Sequence, residues 1–299
     1  MSGPKTESVL LANVPGWLAE AFPLQCPIPV LMKDLMAPNL FDRFANVIRT
    51  SAHFDLTTLT VDHPFFLDAT DAGGRNVSMM YAPFDHINRS AKIAIVGMTP
   101  GAHQAQHSLL AAKAALLEGK SEAEAAAIAK AHASFSGEPM RTNLIRMMDA
   151  VGIARALGLA STASLWAGDS HMVHFTSALR YPVFVDGANW SGTPDMVRTP
   201  KLREWLLTWT GAELKELKSC LIVPLGPKVA AAMHYLAAAG LIETNRIMDG
   251  MPHPSGANQE RIACFLGDKP AEKCSSKTNP DALAQAKLEL IARVASISM

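Results

Sequence analysis

The sequence predicts an α/β protein built on a parallel sheet, and three observations carry that expectation. Short apolar runs rich in branched residues stop at glycine, as in "AKIAIVG" and "SCLIVPLG", the pattern of strands buried on both faces. Helical stretches lie between these runs, and strand-helix alternation of this kind builds a doubly wound layer. The chain has 299 residues, 49% of them hydrophobic, enough for one substantial core with a small addition.

Taken in order, residues 1–90 read as an N-terminal extension packed on the core. Within them "NLFDRFANVIRTSA" has apolar residues at helical spacing, while "TTLTV" and "HPFFLDA" read as short strands or loops. The α/β domain occupies residues 91–299 and opens with the strand "AKIAIVG". "QHSLLAAKAALLEG" and "SEAEAAAIAKAHA" then form a helical insertion at about residues 105–133; the second stretch opens with Ser121 and Glu124 in capping-box spacing. "EPMRTNLIRMMDAVGIARAL" is a helix ending near Gly152, and "MVHFTSAL" is the second strand. "TPKLREWLLTWTGAELKEL" is helical before "SCLIVPLG", and "PKVAAAMHYLAAAG" is a helix with a glycine stop. "IMDGMPHPSGAN" is a short strand into a turn, and "PDALAQAKLELIARVASI" closes the chain with Asp281 in its first turn. The expected architecture is three-layer α/β/α with a central four-stranded parallel sheet.

Composition narrows the function classes. Lys+Arg and Asp+Glu are both 27, so no whole-molecule field attracts nucleic acid and any such site is a local patch. No run of about eighteen apolar residues is present, and "MSGPKTESVLLANVPGW" lacks a basic region followed by a hydrophobic one; a cytoplasmic protein with no membrane partner is expected. Cys26, Cys220, Cys264 and Cys274 are scattered without a C-x-x-C pair and read as free thiols, so neither a metal nor a cluster is expected. His171 and His174 alternate on one strand face without a third ligand at useful spacing, and read as a solvated or core pair.

Ligands of such sheets bind outside the carboxyl ends of the strands, where "GMTPGAH", "HFTSALRYP", "PLGPK" and "PHPSGAN" converge. The first is no Walker loop, since no G-K-[ST] follows, and it lacks G-x-G-x-x-G. Gly97 permits close backbone approach, Pro100 fixes direction and Gly101 leaves space beside it, which suits a flat ligand. His253-Pro254-Ser255-Gly256 sets an imidazole beside a turn with backbone N–H groups able to bind an anion. "RYPVFVDGANWSG" reads as a loop near the site; if the ligand is a nucleic acid, Asn189 or Trp190 is placed to reach the base or the DNA.

These residues resemble the uracil-DNA glycosylase superfamily, whose first motif is a strand ending in G-x-x-P-G and whose second is H-P-S or N-P-S with a short loop. "SFSGEPMRTNLIRMMDAVGI" looks like that family's F-x-G segment before a helix, and the resemblance covers residues 91 to about 270. It implies a hydrolase for base excision repair. The enzyme flips a nucleotide out of DNA, stacks the base on Phe135 within a wall formed by Gly97, Met98, Pro100 and Gly101, and hydrolyses the N-glycosidic bond. His253 is the implied donor to the developing charge on the base, and Phe135 keeps a second reading as a core ring. Ser177 stands where iron-sulfur members carry a base-reading asparagine; its other reading is a serine that satisfies nearby backbone. Ser255, Gly256, Ala257, Asn258, Lys228 and Arg261 are the implied DNA contacts, the two cations having a solvated-surface alternative.

The chain departs from the family's pattern in its first motif, at the base-reading position Ser177, at the cluster positions and in spacing, with about thirty residues between Gly101 and Phe135. Met98 and Thr99 replace the usual carboxylate or amide, so only the Thr99 hydroxyl is left to orient water. His103 matches a broad-range subgroup, as a site residue or as a residue that holds the loop. Gly101 replaces a tyrosine that excludes 5-substituted bases in the most selective members, which implies tolerance of 5-substituted uracils or other deaminated bases. Arg180 and Tyr181 occupy cluster positions, so no iron-sulfur cofactor is expected. The loop Gly256–Asn258 offers no large apolar wedge, favouring single-stranded or mismatched DNA. A catalytically weak module of the same fold that binds a nucleobase or damaged DNA is the alternative, and the helical insertion either covers the pocket or forms a dimer contact.

Overall fold

In the computed structural model, which describes residues 39–56, 60–132 and 137–297, the apolar runs form strands where the sequence places them. Helix α1 (Phe41–Thr50) precedes β1 (Phe66–Asp71) and β2 (Asn76–Met80), and β3 (Ile93–Gly97) leads into the hairpin α2 (Ala102–Leu117) and α3 (Glu122–His132). Next come α4 (Met140–Ala150), the short α5 (Ile153–Ala156), β4 (Val173–Ser177), β5 (Val183–Val185) and β6 (Ala188–Asn189). Helices α6 (Pro200–Trp205) and α7 (Ala212–Glu216) are joined by a π-helical turn over Leu206–Gly211. β7 (Leu221–Pro224), α8 (Pro227–Ala238), α9 (Gln259–Leu266) and α10 (Pro280–Ala295) complete the order. The capping box at Ser121 is formed, with Glu124 N–H donating to Ser121 Oγ and Ser121 N–H donating to the Glu124 carboxylate.

The parallel sheet has the order β4-β3-β7 among the described residues. Alternate residues of β3 divide between its faces: Ala94 and Val96 pack with α1, β2 and α2, while Ile93 and Ile95 pack with α4, α9 and α10. A strand covered on both sides reads as a continuous apolar run, which is why it was legible. The fourth parallel strand is a correction. Its segment pairs through one bridge, Ile222 to Ile247, with Met248 N–H donating to Ile222 O at 2.7 Å. Beyond it Gly250 takes φ 115° and Pro252 has no N–H, so the ladder stops.

A second sheet, antiparallel and of order β1-β2-β5-β6, was not anticipated. Every β1 residue from Phe66 to Thr70 is half-buried, so the alternation that marks a strand is missing. The stretch read as a loop, "RYPVFVDGANWSG", contains a β-hairpin instead, turned by Asp186 at φ 50° and Gly187 at φ 84°. Two consecutive positive φ values are the geometry an Asp-Gly pair provides in a two-residue hairpin.

A buried polar knot interrupts the first apolar cluster. Glu213 accepts from Lys130 Nζ at 2.6 Å, His174 Nε2 at 2.6 Å and Thr176 Oγ1 at 3.0 Å, with Arg180 Nε 3.5 Å away. Asp85 accepts from both Tyr81 and Tyr181 hydroxyls and from the Leu40 N–H, and Arg180 donates to the Phe84 and Asp85 carbonyls. Two cations thus face two carboxylates, and every one of these side chains has a partner, as burial demands. Burial alone would raise the Glu213 carboxyl, but the Lys130 and Arg180 charges and the His174 hydrogen bond hold it well below the usual carboxylate range.

His174 belongs to this knot, whereas His171 sits exposed in the turn before β4, so they are not a pair. Burial, and then the Lys130 charge, push the His174 imidazole down to about 4. Below its ordinary value near 6.5 the unfolded chain takes up a proton that the folded imidazole refuses until about pH 4. Stability is therefore expected to fall by roughly 3 kcal/mol between neutral pH and pH 4. Urea titrations at several pH values check this, and His174→Gln should flatten that part of the profile.

The reading of all four cysteines as free thiols is also corrected, because Cys264 and Cys274 form a disulfide. Glu260 gathers Lys269, Ser275 and Thr278 around its carboxylate, folding the intervening loop back on α9. Cys220 is a buried free thiol, pushed up to about 11 by burial, and Cys26 lies outside the described residues. Closing a loop of this size stabilises a fold by roughly 2–3 kcal/mol. Cys274→Ser is expected to lose that much in urea unfolding, and reductant should bring the native protein down to the variant.

Candidate active site

The carboxyl ends of the parallel strands are tied together by backbone. Gly97 and Ser177 are partners at the ends of β3 and β4, and the Ala178 and Leu179 N–H groups donate to the Gly97 and Met98 carbonyls. On the other side Leu225 N–H donates to Val96 O at 2.9 Å. Gly226 follows at φ 94°, and the His253 ring lies against it, its Cδ2 3.4 Å from where a Cβ would stand. These contacts bring Gly97, Ser177, Gly226 and His253 to one end of the sheet.

His253 is held in one tautomer. Ser255 N–H donates to its Nδ1 at 3.2 Å, so in the neutral ring the proton resides on Nε2. Burial lowers the imidazole from its ordinary value, which keeps that neutral form at physiological pH. The loop is fixed from behind by Asn143, 3% exposed, whose Nδ2 donates to Pro254 O at 3.0 Å and Gln259 Oε1 at 3.2 Å. Gly256 abuts Pro139 at the start of α4, where a Cβ would meet Pro139 Cγ at 3.4 Å. Ser255 Oγ accepts from Asn258 Nδ2 at 3.0 Å, and Gly256 and Ala257 are exposed.

The "GMTPGAH" loop is pinned to the β5–β6 hairpin. Thr99 Oγ1 donates to Tyr181 O at 3.0 Å and accepts from Val183 N–H at 3.2 Å. Its only proton is committed, so the hydroxyl holds the loop instead of orienting water. Met98 packs against the apolar cluster and Pro100 is buried. Gly101 N–H donates to Gln104 Oε1, and Ala102 N–H donates to Asn189 Oδ1. Trp190 is 3% exposed and donates to Pro194 O, so only Asn189 of that pair faces outward.

The other expected residues are placed less centrally. His103 is exposed on the first turn of α2, its ring centroid 4.1 Å from that of His107 one turn on. Lys228 Nζ donates to Gly192 O at 2.7 Å, and Arg261 donates to Lys277 O at 3.3 Å; each keeps further N–H groups for a phosphate. The Ser255 N–H expected to meet an anion is the one turned onto His253. Phe135 lies outside the described residues. The outer face of the α2–α3 hairpin carries a groove of about 440 Å³ lined by His107, Leu110, Ala111, Ile128 and His132 among others, sharing no residue with the strand-end loops.

The knot around Glu213 escaped sequence reasoning, and Arg180 and Tyr181, read only as replacing cluster ligands, prove to be part of it. One signal was present: Lys130 stands one turn beyond Ala126 in an alanine-rich helix, on the face that is buried. Among curated proteins, the Bacillus subtilis (strain 168) sequence named "Uncharacterized protein YoxB" is 35% identical over 196 residues, covering 64% of this chain and 76% of that one. No family model matches the chain, and no solved structure matches it.

Proposed function

Since the chain belongs to the family of Bacillus subtilis YoxB, whose name states no activity, we propose from the site itself a DNA glycosylase. It excises uracil or related deaminated or 5-substituted bases from flipped nucleotides, as an enzyme of base excision repair without a cofactor. The observation that carries this reading is the single tautomer of His253. A neutral imidazole whose Nδ1 accepts from Ser255 N–H presents Nε2–H as a fixed donor at the strand ends. Such a donor suits the negative charge that a departing base develops. The order of "GMTPG" and "HPSGAN" along the chain supports the same family resemblance.

In this mechanism the flipped base lies over the Gly97–Gly101 loop while the glycosidic bond lengthens toward a sugar cation and a base anion. His253 stabilises the anion, water adds to the sugar cation at the carbon that held the base, and the proton released passes to the base anion directly or through solvent. With Met98 apolar and the Thr99 proton committed, no group of this loop abstracts a proton from that water. Stabilisation of the leaving base therefore carries most of the rate. The same observation favours a second reading, a nucleobase- or damage-binding module with little turnover.

One assay separates the two. Single-stranded, mismatched and duplex oligonucleotides containing uracil, 5-hydroxymethyluracil, hypoxanthine or xanthine are incubated with the protein, and abasic sites are cleaved with alkali. Strand breaks support the enzyme. Binding without breaks for every base supports the module and removes the glycosylase reading.

A further inference from the structure

Asn189 is exposed and fixed at once, a combination that points to a ligand. The Asp186-Gly187 turn holds it on β6, where it pairs with Phe184, and the Trp190 N–H donates to Val183 O at 3.0 Å. Its side chain crosses to the neighbouring loop, where Oδ1 accepts from Ala102 N–H at 2.9 Å. Because a backbone N–H can face only an acceptor, this bond assigns the amide: oxygen toward Ala102, nitrogen on the other side. The Nδ2 group donates to none of the described residues.

The same amide lines the open space at Gly101. A methyl group placed there would stand 3.8 Å from Asn189 Nδ2 and 3.9 Å from Oδ1, so the flat face of the amide borders the room that glycine leaves. Gly101 has an ordinary φ of −77°, and no backbone strain requires glycine at this position. A preorganised donor pair thus adjoins a small-residue loop at the end of the central strand.

We infer that Asn189 is a base-reading residue, its Nδ2 donating to an exocyclic oxygen of a pyrimidine seated over the Gly97–Gly101 loop. The inference rests on the glycosylase reading and names the substrate edge that reading leaves open. Because amide N–H bonds lie in the amide plane, a carbonyl or hydroxyl oxygen is accepted at the Nδ2 edge, beside the room at Gly101 and not across the amide face. An amino group, itself a donor, leaves two donors facing each other. Ser177, with one hydroxyl, is not required to do this work.

The two roles of Asn189 separate by substitution. Asn189→Asp keeps an oxygen for the Ala102 N–H, at a helix N-terminus that favours negative charge, but removes the donor. Asn189→Ala removes both. The test measures kcat and KM on single strands containing uracil or 5-hydroxymethyluracil, with the melting temperature of each variant. Asn189→Asp is expected to melt as the native protein does and to lose about tenfold to a hundredfold in kcat/KM; Asn189→Ala loses as much activity and melts lower. An aspartate variant within twofold of the native rate on both bases would overturn the role of Asn189 and leave the glycosylase standing. Should Asn189→Asp melt lower, Asn189→Ala decides the matter: native kcat/KM in that variant overturns the inference. If the native protein excises neither these bases nor the purines, the glycosylase reading falls and this inference falls with it.

Discussion

His253→Ala is expected to lower the single-turnover excision rate by about 10²–10³-fold, the loss that follows removal of one preorganised donor to a developing anion. The pH dependence carries the same signature. Burial lowers the imidazole, so the rate should hold as pH falls through 6.5 and decline only below it. Protonation places a hydrogen on Nδ1 against the Ser255 N–H, which opens the loop that fixes the ring. Rates measured from pH 8 to pH 5 check this, and a variant with the native rate would remove His253 from the mechanism.

Glu213→Gln is expected to destabilise the fold by about 3–5 kcal/mol, because it leaves the buried Lys130 ammonium without its anion. For a domain of this size that is a fall in melting temperature of roughly 10 °C. Glutamine keeps the shape, so the effect isolates charge from packing. Adding Lys130→Met should recover much of the loss, since a neutral pair of similar volume often matches a buried ion pair. Calorimetry on the two single variants and the double variant closes the cycle; additive losses would show that Lys130 and Glu213 do not act together.

What was legible in the sequence follows from how each element is buried. β3 and β7 are covered on both faces and appear as unbroken apolar runs. The α2 and α3 helices are announced by alanine and by a capping box. β1 is half-buried along most of its length and gives no alternation, and the β5–β6 hairpin was missed although its Asp-Gly turn is the usual sign of one. At the site, the glycines and His253 were legible because turns at strand ends need particular residues. The commitment of the Thr99 hydroxyl was not, because its partners, Tyr181 and Val183, are more than eighty positions away. The Cys264–Cys274 bond was hidden for a like reason: the contacts of Glu260 that fold the loop have no fixed spacing.

The α2–α3 hairpin looks like a removable ornament in the sequence, yet Lys130 near its end places an ammonium in the protein's interior. Trimming residues 105–133 would therefore remove the Lys130 ammonium along with the helices, and leave the buried Glu213 carboxylate with Arg180, His174 and Thr176 but without its nearest cation. A minimal version of this protein has to neutralise Glu213 in the same step. By the same logic a lineage cannot shed the hairpin through one deletion without an accompanying change at residue 213, so the two should be gained and lost together.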